Sequence, residues 1–211
     1  MIVELLMVII GVLSGAVMYS YYIPKWILKK DIRKNTTDAN PGGYNAYSAH
    51  KGIGLVCILL DMLKGFIPVY LFVKIKGIET PWITLMVLAP ILGHAFTPFL
   101  KGKGGKALST AAGSMLGLTP ASSLGILLVT MAIFFSFVLI IDPFASRVVG
   151  VMLVFNIVTM LFRLANLWLT IASWGITGIL WYKQLQVRDP RRAVVYWWFS
   201  KNANNHYREL S

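Results

Sequence analysis

Long apolar stretches separated by short polar stretches dominate the chain up to about residue 182. About 20 apolar helical residues, each rising about 1.5 Å, cross the hydrocarbon core of a bilayer. The stretches that are long enough, or nearly so, occupy residues 1–24, 52–73, 82–100, 107–141, 148–162 and 167–182. The pattern therefore predicts an all-α polytopic membrane protein.

The stretch 107–141 contains no charged residue and is too long for one crossing. As a single helix its 35 residues would extend about 52 Å, against a core of about 30 Å. Thr119 and Pro120 provide a break, because proline disfavours helix both at its own position and before it. We therefore expect a short helix and then a full membrane-spanning one, ending before Asp142 and Pro143, and about seven transmembrane helices in total.

The distribution of basic residues predicts the orientation of these helices. With seven spans, 16 Lys and Arg residues share one side and three lie on the other, whereas a single crossing by residues 107–141 would give ten against nine. The positive-inside rule favours the first arrangement, with the N-terminus outside and the C-terminus in the cytoplasm. The polar loops 25–51 and 101–106 then both face the cytoplasm.

The organisation expected from these patterns is one membrane domain over residues 1–185 and a cytoplasmic, basic and aromatic tail over 186–211. Within the tail, residues 194–199 are typical of a segment that lies at the membrane interface.

Composition narrows the possible functions. The chain is 57% hydrophobic and 13% charged, against about 25% charged residues in soluble domains. The net charge of +12 is explained by cytoplasmic loops and anionic headgroups, and no basic stripe interleaved with aromatics indicates nucleic-acid binding. The single cysteine, the distant histidines and the scattered carboxylates predict no disulfide, metal ion or cofactor.

Loop 101–106 combines three lysines with three glycines between two apolar stretches. Glycine lets the backbone N–H groups approach an anion, lysine supplies charge, and the helix beginning near Ala107 directs its positive end to the same place. The predicted phosphate-binding residues are Lys101, Lys103, Gly104, Gly105, Lys106, Ser109 and Thr110. The alternative is an ordinary basic cytoplasmic loop.

Three ionisable residues within the apolar stretches are further candidates. Asp61 and Lys64 are three residues apart on one predicted helix. Because charge inside a membrane is costly, they either support function or pair as a latch between helices. His94 precedes the lysine–glycine loop, where it either accepts a proton or serves as a packing residue.

Taken together, these features resemble the bacterial acylphosphate:glycerol-3-phosphate acyltransferases of the PlsY type. The family pattern G-H-x-F-P-x-F-L-K-F-K-G-G-K-G-x-A-T is matched at Gly93, His94, Phe96, Phe99, Leu100, Lys101, Lys103, Gly104, Gly105, Lys106 and Thr110. The family's D-x-L-K-G stands here at residues 61–65. Its first-loop pattern, S-G-N-x-G-A-T-N, looks like residues 38–45, which keep Asn40, Gly42 and Asn45.

The resemblance implies a seven-helix enzyme of the bacterial plasma membrane that acts in phospholipid synthesis. It implies transfer of a fatty acyl group from acyl phosphate to the 1-hydroxyl of glycerol 3-phosphate, giving lysophosphatidic acid and phosphate. In the family, the lysine–glycine motif serves glycerol 3-phosphate binding, while the first loop and a C-terminal motif serve catalysis. An acyl phosphate is already activated, so orientation, proton removal and neutralisation of the departing phosphate suffice.

The chain departs from the family pattern at three places. Asp38 replaces the first-loop serine, Ser48 stands where the family has an arginine, and the C-terminal pattern H-R-E-N-I-x-R-L is not recognisable in residues 182–192. An anionic Asp38 repels phosphate unless a lysine compensates its charge.

The catalytic candidates carried over are Asp38, Asn40, Asn45, Ser48 and His94, with the Asn side chains positioning substrate. Two other functions stay open: an acyltransferase with a changed donor or acceptor, and a non-catalytic membrane binder or transporter of phosphorylated small molecules. Formation of an ester product distinguishes an acyltransferase from the latter.

Overall fold

The computed structural model describes residues 1–34, 36, 38–186 and 193–198. Its helices are α1 Ile2–Ala16, α2 Tyr19–Ile27, α3 Gly43–Ala49, α4 Lys51–Lys76, α5 Trp82–Ala95, α6 Leu108–Leu116, α7 Leu124–Phe137, α8 Phe144–Leu161 and α9 Leu167–Leu185, with a 3₁₀ turn at Pro98–Leu100. Two strands, β1 Leu139–Asp142 and β2 Val194–Trp197, complete the described chain. Most of the predicted tail, 187–192 and 199–211, lies outside the described residues.

Among the described residues, four helical stretches are long and apolar enough to cross a membrane: Ile2–Ile27, Lys51–Lys76, Trp82–Leu100 and Phe144–Leu161. The apolar helix α7 is shorter, with 14 residues. These lengths and compositions are those of a helical membrane protein, as predicted. The number of seven spans and the orientation of the termini stay predictions.

The long uncharged stretch is divided as the sequence indicates. Helix α6 ends at Leu116, and α7 begins at Leu124 beyond a turn that contains Thr119 and Pro120. The second helix ends earlier than expected, at Phe137, because the chain continues as strand β1. Helix α8 correspondingly begins at Phe144 rather than at residue 148.

Strand β1 pairs antiparallel with β2, so that Leu139 lies opposite Trp197 and Asp142 opposite Val194. The β-branched residues Ile140, Ile141, Val194 and Val195 in these strands favour extended backbone. The part of the tail expected at the membrane interface is therefore held against the connection between α7 and α8.

The first apolar stretch also differs from its prediction, because it is broken at Val17 and Met18 into α1 and α2. Helix α1 lies against α5 at glycines, where a Cβ on Gly15 would overlap the backbone of Pro90 and one on Gly93 would overlap that of Val12. Such small residues let helix backbones approach closely within a membrane.

Helix α6 packs on the middle of α4 in the same way. A Cβ added to Gly65 would overlap the backbone of Thr110, and one added to Gly113 would overlap that of Met62. The fully buried side chains of Phe72, Met86 and Phe155 belong to the core cluster around these helices. This packing brings the lysine–glycine loop, which immediately precedes α6, beside the N-terminal half of α4.

Candidate active site

The lysine–glycine loop lies on the C-terminal end of α5. Gly104 and Gly105 are buried, and a Cβ on either would overlap His94, at its carbonyl oxygen for Gly104 and at its ring for Gly105. Lys183 of α9 donates hydrogen bonds to the carbonyl oxygens of Ala95 at 3.2 Å and Gly104 at 3.1 Å. The loop is therefore held in place by contacts with the end of α5 and with Lys183 of α9.

Two alanines near this site adopt left-handed backbone. Ala107 has a φ of 60° and Ala39 a φ of 46°. Both stand where the matched family patterns have glycine, which adopts this region without the steric cost that a Cβ imposes. The sequence therefore departs from the family pattern at these positions while the backbone keeps a conformation that favours glycine.

Asp38 of the first loop and Lys106 of the lysine–glycine loop form an ion pair, with Lys106 Nζ 2.8 Å from Asp38 Oδ2. Both side chains are mostly buried, with 16% of Lys106 and 13% of Asp38 exposed. The lysine that an anionic Asp38 requires is thus present. The two loops that the sequence singled out meet at this pair.

Asn45 and Asn40 donate hydrogen bonds to Oδ1 of Asp38, the carboxylate oxygen that Lys106 does not pair with. The Asn45 side-chain amide donates to Asp38 Oδ1 at 3.1 Å and to the Asn40 carbonyl at 2.9 Å, and the Asn40 backbone N–H donates to Asp38 Oδ1 at 3.1 Å. Burial by itself raises the pKa of Asp38, but the hydrogen bonds from Lys106, Asn45 and Asn40 outweigh it and lower the pKa below its ordinary value. Asp38 is consequently an anion at neutral pH.

His94 is buried beneath the loop rather than facing open space. Its Nδ1 shares a hydrogen bond of 3.1 Å with the Thr110 hydroxyl and lies 3.9 Å from Asp61 Oδ1. Its ring packs against Gly105. These contacts suit a residue that positions the loop and the first turn of α6.

Asp61 and Lys64 form an almost fully buried ion pair, with Lys64 Nζ 2.8 Å from Asp61 Oδ1. The pair also reaches the first apolar stretch: Ser20 donates to Asp61, and Lys64 donates to the carbonyl oxygen of Val17. Of the two interpretations from the sequence, the geometry is that of a latch between helices.

The break between α1 and α2 explains why this latch exists. A helix break leaves carbonyl groups without their usual partners, and such groups are costly inside a membrane. The Thr97 hydroxyl donates to the Ala16 carbonyl at 2.7 Å, while Lys64 donates to the next carbonyl, of Val17. Thr97, which follows α5, and Lys64 of α4 therefore satisfy the carbonyl groups at the helix break.

The remaining predicted residues occupy different surroundings. Lys101 and Lys103 are exposed, Ser109 is partly buried, and Thr110 is fully buried against His94. Ser48 is exposed on α3 and lines a polar cavity. Within the described residues, no three His, Cys, Asp or Glu side chains group closely enough to hold a metal ion.

Sequence reasoning missed the contributions of Lys183, Thr97 and Ser20. In the charge distribution Lys183 is only one of the 16 basic residues on one side, because its partners, the carbonyl oxygens of Ala95 and Gly104, lie 88 and 79 residues away in the sequence. Thr97 and Ser20 likewise carry no local signal, because their partners lie 81 and 41 residues away.

Two cavities adjoin the site. An apolar cavity of about 200 Å³ lies among α6, α7, α8 and α9, with Leu108 and Leu180 near the loop and Arg147 among its lining residues. A polar cavity of about 890 Å³ lies between α3 and the segment that follows α2, and it includes Asn45 and Ser48.

Comparisons with known proteins identify the family. The model of the glycerol-3-phosphate acyltransferase family matches residues 5–189. Glycerol-3-phosphate acyltransferase 2 of Thermotoga maritima is 38% identical over 112 residues, covering 53% of this chain and 56% of the relative. A glycerol-3-phosphate acyltransferase of Staphylococcus haemolyticus is 37% identical over 148 residues, covering 66% of this chain and 70% of the relative.

Solved structures of an acyltransferase with this name are also similar to the chain. The chain resembles the crystal structure of PlsY, an integral membrane glycerol 3-phosphate acyltransferase, in its glycerol 3-phosphate form, with a TM-score of 0.74 and 26% identity over 87% of this chain and 88% of that one. The lysophosphatidic acid form of PlsY gives a TM-score of 0.71. The alignments with the first curated relatives span only 56% of their length. The chain belongs to the glycerol-3-phosphate acyltransferase family.

Proposed function

We propose that the protein transfers a fatty acyl group from acyl phosphate to the 1-hydroxyl of glycerol 3-phosphate, producing lysophosphatidic acid and inorganic phosphate in the membrane. The observation that carries this proposal is the junction of the first loop with the lysine–glycine loop at Asp38 and Lys106. The family match over residues 5–189 and the similarity to the glycerol 3-phosphate form of PlsY support the same reaction.

The lysine–glycine loop binds the phosphate of the acceptor in this proposal. Lys106 supplies the nearest cation, exposed Lys101 and Lys103 attract the anion, and the positive end of α6 points to the same place. Because Lys106 already holds Asp38, the acceptor phosphate displaces the carboxylate when it binds.

The displaced Asp38 carboxylate then accepts the proton of the acceptor's 1-hydroxyl. The hydroxyl oxygen attacks the acyl carbon, an ester C–O bond forms, and the bond between the acyl carbon and the phosphate oxygen breaks. The departing phosphate keeps the electron pair of that bond. Asn45 and Asn40, which bond Asp38 in the free protein, keep the carboxylate oriented toward the reacting hydroxyl.

His94 positions the site rather than transferring a proton in this proposal. Its contacts with Thr110 and Gly105 support that role, because they tie the loop to the start of α6. Asp61 and Lys64 serve the same purpose at longer range by joining α4 to the broken first stretch.

The apolar cavity among α6 to α9 holds part of the acyl chain. Its lining includes Leu108, two residues after Lys106, so a chain that lies there has its reactive end near the loop. Arg147 also lines this cavity and supplies a cation at its edge.

The orientation proposed has seven spans, the N-terminus outside, and both site loops in the cytoplasm. The membrane domain comprises residues 1–185, followed by a cytoplasmic tail from 186 to 211. The pairing of β1 with β2 supports this arrangement, because it joins the connection before Arg147 to the tail. The positive-inside rule also favours placing those two segments on the same side.

Reconstituted protein tests the proposed reaction directly. With palmitoyl phosphate and glycerol 3-phosphate, we expect phosphate release that depends on the acceptor and an equal amount of lysophosphatidic acid. Release without the acceptor would indicate hydrolysis or another acceptor. Movement of glycerol 3-phosphate across the vesicle without any ester product would establish a transporter instead.

A further inference from the structure

One edge of the apolar cavity lies at the connection between α7 and α8. Ser136, in the last turn of α7, and Phe144 and Arg147, in the first turns of α8, line the cavity, and strand β1 lies between them in the chain. In the proposed function this cavity holds part of the acyl chain, and the present inference rests on that assignment.

Strand β2 of the tail holds β1 in place. The two strands pair over the full length of β1, and the Trp198 N–H donates to the carbonyl oxygen of Val138 at 3.0 Å. On one face of the pair Ile140 lies opposite Tyr196, and both side chains are buried. Cross-strand contacts of this kind stabilise a sheet. Strand β2 lies outside residues 5–189, the part of the chain that the family model matches.

Strand β1 in turn positions Arg147 at the cavity. Its Nε donates to the carbonyl oxygen of Ile141 at 2.8 Å, and its guanidinium carbon lies 5.9 Å from the centre of the Phe144 ring. The Ile141 side chain also packs against α8, since a Cβ added to Gly150 would lie 3.1 Å from its Cδ1. Arginine covers apolar surface with its aliphatic stem while its charged end bonds elsewhere. The hydrogen bond to β1 therefore lets Arg147 line an apolar cavity.

The paired strand also sets the spacing at this edge. An extended strand rises about 3.3 Å per residue, so the four residues of β1 span roughly 13 Å. Without β2, the backbone groups of β1 lose their partners and the segment is free to adopt shorter conformations. The edge formed by Ser136, Phe144 and Arg147 then has no fixed width.

We propose that β2 is a specificity element for the acyl donor: by pairing with β1, it keeps the edge of the cavity in the shape that admits a long acyl chain. Tyr196 is a positioning residue, because it acts on the chain only through β1 and Arg147. An apolar cavity of about 150 Å³ holds benzene. By that measure the present cavity of about 200 Å³ accommodates roughly eight carbons, so a long chain fills it and a chain of four carbons does not.

Tyr196→Ala tests the proposal by comparing two acyl phosphates with reconstituted full-length protein. Palmitoyl phosphate fills the cavity, whereas butyryl phosphate undergoes the same reaction and leaves most of it empty. We expect the KM for palmitoyl phosphate to rise about tenfold, equivalent to the loss of about two buried methylene groups. The kcat with palmitoyl phosphate and the kcat/KM with butyryl phosphate should stay within about twofold. The matched control is Trp197→Ala, which removes the exposed neighbour on the same strand and should keep wild-type constants.

A covalent link between the strands tests the same point by rescue. Because Trp198 bonds Val138, the adjacent pair Leu139 and Trp197 is a non-hydrogen-bonded pair, whose Cα atoms lie about 4.5 Å apart and within reach of a disulfide. Adding Leu139→Cys and Trp197→Cys to Tyr196→Ala is expected to restore the KM for palmitoyl phosphate under oxidising conditions. Reduction of the disulfide should raise that KM again.

Arg147 provides a second, independent variant. Arg147→Leu keeps an apolar side chain at the cavity but cannot donate to the carbonyl oxygen of Ile141. We expect the same selective rise in the KM for palmitoyl phosphate. Arg147→Lys keeps a donor of similar reach and should retain most of the wild-type affinity.

Three results would overturn the inference while wild-type protein is active. They are an unchanged KM for palmitoyl phosphate in Tyr196→Ala, equal losses with both acyl phosphates, and a disulfide that forms without restoring the KM. Equal losses would show general damage to the fold or the chemistry rather than an effect on the acyl chain. Failure of the proposed function is distinguishable, because wild-type protein itself would then give no ester product from either donor.

Discussion

The ammonium group of Lys106 lies 2.8 Å from the carboxylate of Asp38, which joins the lysine–glycine loop to the first loop. An aspartate at a phosphate site is unfavourable only while its charge is uncompensated. The pair resolves that conflict in the free protein. In the proposed function, acceptor binding is therefore an exchange of one anion for another on Lys106.

Replacing Asp38 by asparagine separates the two roles proposed for this carboxylate. Without the negative charge, Lys106 is free for phosphate, so the KM for glycerol 3-phosphate is expected to fall. Loss of the proton acceptor lowers kcat about 100-fold or more. Steady-state kinetics in vesicles measure both constants, and an Asp38→Asn protein with wild-type kcat would remove Asp38 from the chemistry.

The stability that Asp38 provides depends on pH in a defined direction. Its pKa in the folded protein is lower than the ordinary value of 3.8, so the unfolded chain binds the proton more readily. The contribution is therefore complete above about pH 5 and is lost as pH falls through the folded pKa.

Thermal unfolding in detergent measures this dependence by comparing wild type with Asp38→Asn. The difference in Tm is expected to stay constant between about pH 5 and 7 and to shrink below about pH 4. A difference that already shrinks near neutral pH would contradict a lowered pKa.

Ala107→Gly is expected to stabilise the protein. Ala107 has a φ of 60°, and the gain from removing its steric cost exceeds the entropy that glycine adds to the unfolded chain, leaving roughly 0.5–1 kcal/mol. Ala111→Gly, inside α6, is the control and lowers stability by roughly 0.5–1 kcal/mol. Equal losses of stability for the two variants would contradict the assigned backbone of Ala107.

Gly105→Ala is expected to impair acceptor binding. Its Cβ would overlap the His94 ring, so the loop has to move away from α5 and Lys106 moves with it. We expect the KM for glycerol 3-phosphate to rise more than kcat falls. Gly178→Ala is the control, because a Cβ there meets nothing within 4 Å, and its kinetics should match wild type.

Lys64→Met tests the latch between α4 and the first apolar stretch. The change leaves Asp61 buried without its cation, which costs about 3–5 kcal/mol in unfolding free energy. Adding Asp61→Asn removes the isolated charge and is expected to recover part of that loss. If the double variant unfolds as readily as the single one, the buried pair is not what stabilises this region.

The sequence predicted the features that depend on local pattern. Apolar length located the helices, Thr119 and Pro120 located the break between α6 and α7, and spacing identified the Asp61–Lys64 pair. Features that depend on distant partners were missed. Nothing near Val17 signals a break, because the groups that satisfy its carbonyl and that of Ala16 come from Lys64 and Thr97.

The sequence indicated which residues belong to the candidate site, but it did not indicate that Asp38 and Lys106 would be in contact. The sequence predicts that the lysines and glycines bind phosphate and that the first-loop asparagines lie beside them, and these roles stay predictions. That Asp38 would bind Lys106, rather than another lysine of the same loop, depends on how α6 packs against α4. The pairing of β1 with β2 likewise joins segments more than 50 residues apart, beyond any local pattern.

The most direct test of the central claim is the KM for glycerol 3-phosphate in a Lys106→Ala protein, with Lys106→Gln as a second variant that keeps a hydrogen bond to Asp38. Lys74→Ala, at the opposite end of α4, is the control for loss of one charge. Binding of the acceptor phosphate at Lys106 predicts a rise of about tenfold or more in that KM for both variants. The KM for acyl phosphate should change little. Variants that fold as wild type does and keep its KM for glycerol 3-phosphate would contradict the assignment of this loop to the acceptor phosphate.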